Sequence, residues 1–453
     1  MKIYKTVNLA IVLIAFIFTL LLPGALIGAD IPSIKDVVEG KAALPTIEDL
    51  TGGKVKIGDL IDKNNVDLVK EYITAAMYVN VKRGMVLKMG TQLSPDKLYP
   101  KAFKEATERN RGKAVMNNNG AVYYEKIGTP WPGGIPFAWA KNGLEAMGNY
   151  QYGRVWDSYI HRPVHMWYIN SKGEVYKSVG QEHMYVRCSG RTIEPPLGTI
   201  PGYENILIKR ITVATYPREI AGLGQFTVRY YDSAKDYDTG FAYLPAFKRT
   251  MRTSATTWQD NIAGADLIYG DGDGFQEPYS DWDLKLIGKK YLLVSESTTN
   301  NTYDNNGKPR IPTYDEKRKP ADGIQFDVGK KFARIGWVIM PVDVVEAIPR
   351  FKHVYGKRVV YIPIWPYIFS GGGIAATDIY DRQMKLWKGL FHIYGRLEYI
   401  NGDQQKPVTP YTSTWYYDLQ ADHTTQMWMP CAKLFVGFSP EDINLTTLLK
   451  KGR

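Results

Sequence analysis

Apolar and polar positions alternate most cleanly just past the middle of the chain, where Phe226, Val228 and Tyr230 share one phase and Thr227, Arg229 and Tyr231 the other. A period of two places successive side chains on opposite faces of a strand. Asp232, Ser233, Asp236 and Asp238 crowd the connection that follows, and the pattern resumes from Gly240 to Leu244 before Pro245 stops it. This predicts a β-hairpin. Similar runs recur at Val155–Ile169, Glu174–Val179, His183–Cys188, Asn205–Tyr216, Lys290–Ser295, Phe332–Met340, Val342–Ala347, Arg358–Ile364, Ile374–Tyr380 and Leu390–Ile400. So many short segments with turn residues between them predict a mainly β chain whose antiparallel sheet curls into a sandwich or an open barrel.

Ahead of the strands, Ile34–Ala43, Asn65–Met77 and Asp96–Asn110 carry apolar residues at three- and four-residue spacing. These predict helices that pack on the sheet or close over a cleft as a lid. The run from Gly128 to Gly143 gathers Pro130, Trp131, Pro132, Gly133, Gly134 and Pro136, which excludes helix and central strand. Thr299–Gly323 and Asp403–Thr414 read as solvated loops, and Ser439–Leu449 as a capped turn with a short helix. The expected organisation is an N-terminal helical region over 30–127, a Pro/Gly-rich hinge and short helix over 128–150, and a β domain over 151–453.

Residues 1–29 break this pattern. Lys2 and Lys5 precede the apolar run Leu9–Leu22, which Pro23 and Gly24 end before small residues at Gly28 and Ala29. The run is shorter than the roughly 20 residues that span a bilayer, so a cleaved export signal is favoured over a retained anchor. The mature chain is then expected in the periplasm, soluble or loosely held at a membrane surface. Export changes the reading of charge: losing Lys2 and Lys5 takes the formal net charge from +11 to +9, with both signs interleaved. Nucleic acid is not a partner outside the cytoplasm, whereas an anionic headgroup or acidic partner would suit the excess. The 32 tyrosines and 11 tryptophans favour strands and supply walls for an apolar or sugar-stacking cleft. Cys188 and Cys431 would close a very long loop if paired, but spacing alone does not bring them together.

Candidate chemistry is sparse. Asp271-Gly272-Asp273-Gly274 begins like a calcium loop, but Phe275 and Trp282 stand where further acidic ligands belong, leaving Asp271 and Asp273 as at most an irregular metal site. His161 and His165 are separated by Pro163, and four extended residues span about 13 Å, too far to share a metal; they read as surface or aromatic-packing residues. No sequence motif for a metalloprotease, nucleophile elbow, phosphate loop or CxxC pair occurs. Lys248, Arg249 and Arg252 are either a solvated strand edge or a grip for an anionic headgroup. Tyr361–Phe369, with Trp365, is either an aromatic loop for a lipid or membrane surface or an insertion folded back on the core.

Several stretches together carry a resemblance: Gly134-Ile135-Pro136-Phe137, Asn142-Gly143-Leu144-Glu145-Ala146, Tyr230-Tyr231-Asp232, Ala242-Tyr243-Leu244-Pro245, and Asp281-Trp282-Asp283-Leu284 through Lys290. Val344-Val345-Glu346-Ala347, Lys357-Arg358-Val359-Val360-Tyr361-Ile362 and Tyr380-Asp381-Arg382-Gln383 continue the series. In this order the chain resembles an exported bacterial domain-of-unknown-function family that is similar to the LolA/LolB lipoprotein-localisation factors. The resemblance implies a strongly curved, open antiparallel half-barrel whose concave apolar face is covered by helices, as in proteins that carry acyl chains through the periplasm; it brings no established ligand and no catalytic residues, and no cofactor is expected. It also implies association with an inner-membrane RND-type exporter and an outer-membrane protein. The insertion after Tyr361 and the missing tryptophan near Met147 depart from the family.

The leading expectation is therefore a non-enzymatic carrier of a hydrophobic ligand. Its site would draw on Phe226, Val228, Tyr230, Phe241 and Tyr243 on the sheet, Lys248, Arg249 and Arg252 at the rim, and the aromatic rings of Trp282 and Trp365. Carbohydrate binding or hydrolysis by loop carboxylates, and a purely structural envelope role, are the alternatives.

Overall fold

The computed structural model describes residues 31–91, 94–95, 98–253, 258–297, 330–332, 335–368, 373–395, 398–399, 407–409, 412–429 and 432–452. The expected export signal and Cys431 lie outside them, as does the whole Thr299–Gly323 loop. Among the described residues no helix is long and apolar enough to cross a membrane.

The N-terminal region contributes α1 (Ile34–Val38), α2 (Ile47–Thr51), a 3-10 helix (Val66–Tyr72), α3 (Ala75–Lys82) and α4 (Lys101–Asn110). The single helix expected over Asn65–Met77 is divided. Ile73 is extended and the Thr74 hydroxyl caps α3 by accepting from the Met77 N–H at 3.1 Å. A short strand β1 (Leu87–Met89) and α5 (Gly143–Tyr152) lead into the main sheet.

Its strands are β2 (Ser158–Ile169), β3 (Val175–Arg187), β4 (Ile206–Tyr216), β5 (Gly224–Tyr230), β6 (Thr239–Leu244) and β7 (Arg249–Thr253). They continue with β8 (Trp282–Ser297), β9 (Gly336–Pro349), β10 (Lys357–Pro363), β11 (Ala376–Tyr380), β12 (Leu386–Gly395), β13 (Thr412–Asp418) and β14 (His423–Met429). Neighbours pair antiparallel in the order β7-β6-β5-β4-β3-β2-β14-β13-β12-β11-β10-β9-β8. Two meanders, β2 to β7 and β8 to β12, thus run outward in opposite directions from the β13-β14 hairpin. The sheet is mixed, which corrects the expectation of purely antiparallel pairing: β8 meets β12 and β9 meets β1 in short parallel pairings. It does not close into a barrel, because β7 pairs only with β6 among the labelled strands.

The N-terminal region covers the β8–β12 half. Val66, Val69, Ala76 and Met77 share a buried cluster with Leu292, Trp337, Phe391 and Trp415. Asp378 on β11 accepts from the first N–H groups of α3, Ala75 at 2.9 Å and Ala76 at 3.0 Å, so a buried carboxylate meets the helix's positive end. The Pro/Gly run expected as a hinge is packed: Trp131 is fully buried, its backbone N–H donates to the Tyr231 hydroxyl at 2.7 Å, and its indole donates to the Gly134 carbonyl.

Candidate functional site

A cavity of about 300 Å³ lies between the β2–β6 and β12–β14 strands, the end of α5 and the loop from Ile262 to Gln276. Strand register builds its walls. One inward ladder runs Ala242, Gln225, Thr212, His183, His161 across five strands, and the next runs Thr227, Arg210, Tyr185, Tyr159. A third, on the other side, runs Val179, Met166, Met427, Thr414, His392. The cavity is polarised along these rows. Met166, Val179, Ile262, Leu267 and Met427 share one apolar cluster, while Arg154, His161, Arg210 and His392 are grouped around Asp273.

The aromatic wall is ordered by stacking. Tyr159 lies on Tyr185 with centroids 4.6 Å apart and planes 4° apart, and on His161 at 4.3 Å, while Trp156 meets Tyr159 edge-on at 5.5 Å. His161 is 3% exposed and neither ring nitrogen has a hydrogen-bond partner. Burial, helped by neighbouring His183, pushes its pKa down to about 3. His183 and His392 are pushed down to about 4 for the same first reason, so all three rings are neutral near pH 7. His392 and Thr414 are hydrogen-bonded through Nδ1 at 3.1 Å, and His183 Nε2 meets Gln181 at 2.8 Å.

The charged end is set by α5 and the acidic loop. Asn142 caps α5 by accepting from Glu145 N–H at 2.9 Å, and a β-carbon at Gly143 would sit 2.5 Å from the Leu284 carbonyl oxygen, so only glycine lets the helix lie this close to β8. Arg154 follows the helix, its guanidinium 4.3 Å from the Tyr150 ring centroid. The Tyr150 hydroxyl donates to the Asp273 carbonyl at 2.8 Å. Asp273 takes φ 50°, a left-handed conformation that aspartate tolerates better than most residues. Its half-exposed carboxylate opens on the cavity, accepting from Gln276 at 3.2 Å and Arg210 at 3.5 Å. Burial would raise its pKa, but the Arg154 and Arg210 guanidiniums outweigh that and hold it below the usual carboxylate range.

The same loop is clamped from behind. Arg358 of β10, fully buried, donates to Asp271 at 3.1 Å and Glu277 at 2.8 Å, while Tyr355 donates to Asp271 at 2.6 Å and the Trp282 indole to Glu277 at 3.1 Å. Rings of Phe275, Trp282 and Tyr355 lie within 4.7, 4.7 and 5.0 Å of the guanidinium. Asp271 and Asp273 therefore answer to different partners and do not converge on one metal position.

The sequence-expected site residues are placed elsewhere. Phe226 and Tyr243, buried, and Phe241 and Val228, half-buried, lie on the outward phase of the hairpin against Ile443 and Leu448 at the C-terminal helix α6 (Leu445–Lys451). Tyr230 reaches the Thr239 hydroxyl at 3.3 Å. Trp282 belongs to the Arg358 cluster, and Trp365 stacks on Tyr99 at 4.7 Å within the core. Tyr361, Ile364, Trp365 and Ile368 are all buried, so the described part of the aromatic insertion folds back on the core. Lys248, Arg249 and Arg252 are exposed on the β7 edge. Cys188 is buried with its thiol pushed up to about 12 by burial. Of the expected residues only Asp273 reaches the cavity. His161 and His165 pack against aromatics as expected, His165 stacking on Trp167 at 5.2 Å. The missed residues, Tyr159, His183, Tyr185 and Arg210, sit on the polar phase of strands whose apolar phase drew attention first. Their signal was that both phases carry aromatics, as strands buried on both faces do.

A family profile described as "Protein of unknown function (DUF1329)" matches residues 60–434. The chain belongs to the DUF1329 family. No curated protein matches it. This DUF1329 chain is similar to an outer membrane lipoprotein-sorting protein domain from Vibrio parahaemolyticus, at 16% identity and TM-score 0.40 over 67% of this chain and 95% of that one. A DUF1329 family protein from Desulfovibrio piger is similar at 15% identity and TM-score 0.40, over 65% and 92%. A LolA superfamily protein from Nitrosomonas europaea is similar at 11% identity and TM-score 0.35, over 68% and 100%. The profile match alone meets the expectation of a domain-of-unknown-function family.

Proposed function

We propose that this protein is a non-enzymatic binding protein that holds a small amphipathic molecule in the polarised cavity, on the inner side of an open half-barrel. The observation that carries this is His161. A buried polar ring with both nitrogens unpartnered, aimed into a cavity beside ordered aromatics, is a cost in the empty protein that a ligand's polar group removes. Burying the ligand's apolar part at the Met166–Met427 end would contribute about 0.8 kcal/mol per methylene. In this reading the exported chain works in the periplasm, passing an amphiphile between an inner-membrane RND-type transporter and an outer-membrane protein.

A sugar-stacking role would use the same aromatic wall. Hydrolysis by that route needs a pair of carboxylates, and among the described residues the lining brings one, Asp273.

Native mass spectrometry of the exported protein tests the proposal. The expected result is a bound amphiphile that is absent from Thr212→Trp, in which the indole fills the space between His183 and Gln225. A wild-type protein that carries no adduct and takes up no fluorescent amphiphile after delipidation would overturn it.

A further inference from the structure

Among the described residues four arginines line the cavity, Arg154, Arg187, Arg210 and Arg229, against one carboxylate, Asp273. Arg229 is accounted for, since it pairs with buried Asp238 at 3.0 Å. Arg187 turns to the carbonyls of Gln151 and Tyr152, the latter at 2.8 Å, which accept hydrogen bonds without cancelling its charge. Arg154 and Arg210 both address Asp273, and the Arg210 contact, at 3.5 Å, is long for a charge-assisted bond, which normally closes to about 2.7–2.9 Å. The described lining therefore carries more cationic than anionic side chains, and partly buried charge of one sign favours a counter-charge. His161 stands at the same end with two unpartnered nitrogens, one of which is an N–H donor in the neutral ring.

We infer that the ligand is an anionic amphiphile whose carboxylate or phosphate seats between Arg154 and Arg210, takes a hydrogen bond from the His161 ring, and lays its apolar body along Met166, Val179, Leu267 and Met427. The inference rests on the binding reading above and adds the sign of the headgroup. It also gives Asp273 a defined part. In the empty protein its carboxylate occupies the guanidiniums, and an incoming anion competes with it for them. Binding is therefore selective for a headgroup that bonds both arginines better than one long contact does.

The test uses the delipidated mature protein and three probes with the same chain, palmitate, hexadecyl phosphate and methyl palmitate, followed by displacement of a fluorescent amphiphile. At least one acid should bind about tenfold or more tightly than the ester, the ratio set by one charge-assisted hydrogen bond. Which acid wins distinguishes a carboxylate from a phosphate ligand. Arg210→Gln should collapse the acid–ester gap. Asp273→Asn, which removes the competing charge and keeps a residue suited to φ 50°, should widen it, a gain that a misfolded variant cannot produce. Equal binding of acids and ester, unchanged in both variants, would overturn the anionic headgroup while leaving an amphiphile cavity standing. Binding of none of the three would overturn both readings.

Discussion

Arg358 shows how one residue decides the role of an acidic loop. Its guanidinium is fully buried, bonded to Asp271 and Glu277 and enclosed by rings. Burial works to raise the Glu277 carboxyl, but Arg358 and then His353 hold it below its ordinary value, so the loop carries its charge in an interior network. Removing one partner of a buried pair leaves uncompensated charge and costs about 3–5 kcal/mol. Arg358→Met is expected to lose stability of that size in urea unfolding, and Arg358→Lys should recover only part of it, because an ammonium lacks the flat guanidinium face that the Phe275, Trp282 and Tyr355 rings enclose. A loss under about 1 kcal/mol would mean that the loop is held by something other than this pair. In the sequence Asp271 and Asp273 look equivalent, two acids among glycines. What separates them is a long-range partner on β10 for one and a left-handed backbone facing the cavity for the other, and neither is written in local spacing.

Among elements, the β5-β6 hairpin was legible as two strands and a turn, but not which of its faces would meet the cavity. Alternation divides Phe226 and Phe241 from Thr227 and Ala242 without saying what covers each side. The answer comes from α6, more than 200 residues away in sequence, which takes the apolar face together with Ile211 and Met184. Phe226→Ala should thus cost about 3–5 kcal/mol as a core truncation while ligand affinity measured in the folded protein stays unchanged; a binding loss without a stability loss would return Phe226 to the site. The contact between α3 and β12 is equally specific. A β-carbon at Gly389 would lie 2.4 Å from the Ala76 methyl, so Gly389→Ala should force α3 off the sheet and destabilise by about 1–3 kcal/mol. Ala76→Gly in the same chain should restore part of that, and a double mutant no better than the single would show that the clash is relieved elsewhere.

For the whole molecule, the mainly β class and the family resemblance were present in the sequence, because each rests on local periodicity or on ordered short matches. The division of the sheet into a packed half under the N-terminal segments and a hollow half under the Ile262–Gln276 loop was not, since it depends on which strand ladders face one another after folding. That division concentrates neutral histidines in the hollow half and gives the protein a pH response with a defined sign. His161, His183 and His392 have folded pKa values of about 3, 4 and 4, below the ordinary value of 6.5. Their stabilising contribution is present above about pH 6.5 and is lost as pH falls, because the unfolded chain then takes up protons that the folded chain refuses. Asp157 and Asp266 act in the opposite direction. Burial raises both to about 6, so between the ordinary carboxylate value and about 6 the folded chain keeps protons that the unfolded chain releases, and their contribution grows on acidification. Asp281, Asp343 and Asp378 are raised in the same sense as these two, while the lowered carboxyls of Asp273 and Glu277 act with the three histidines, and the midpoint of urea unfolding is expected to fall between about pH 7 and about pH 4.5 where the histidine shifts dominate. His161→Phe keeps the aromatic stack on Tyr159 and removes one titrating group, and it should flatten that slope in the empty protein. An amphiphile that hydrogen-bonds His161 should shift the whole curve upward in wild type and do so less in His161→Phe. If the variant's slope matches wild type, the ring is not held neutral by the cavity and the acid sensitivity has another source.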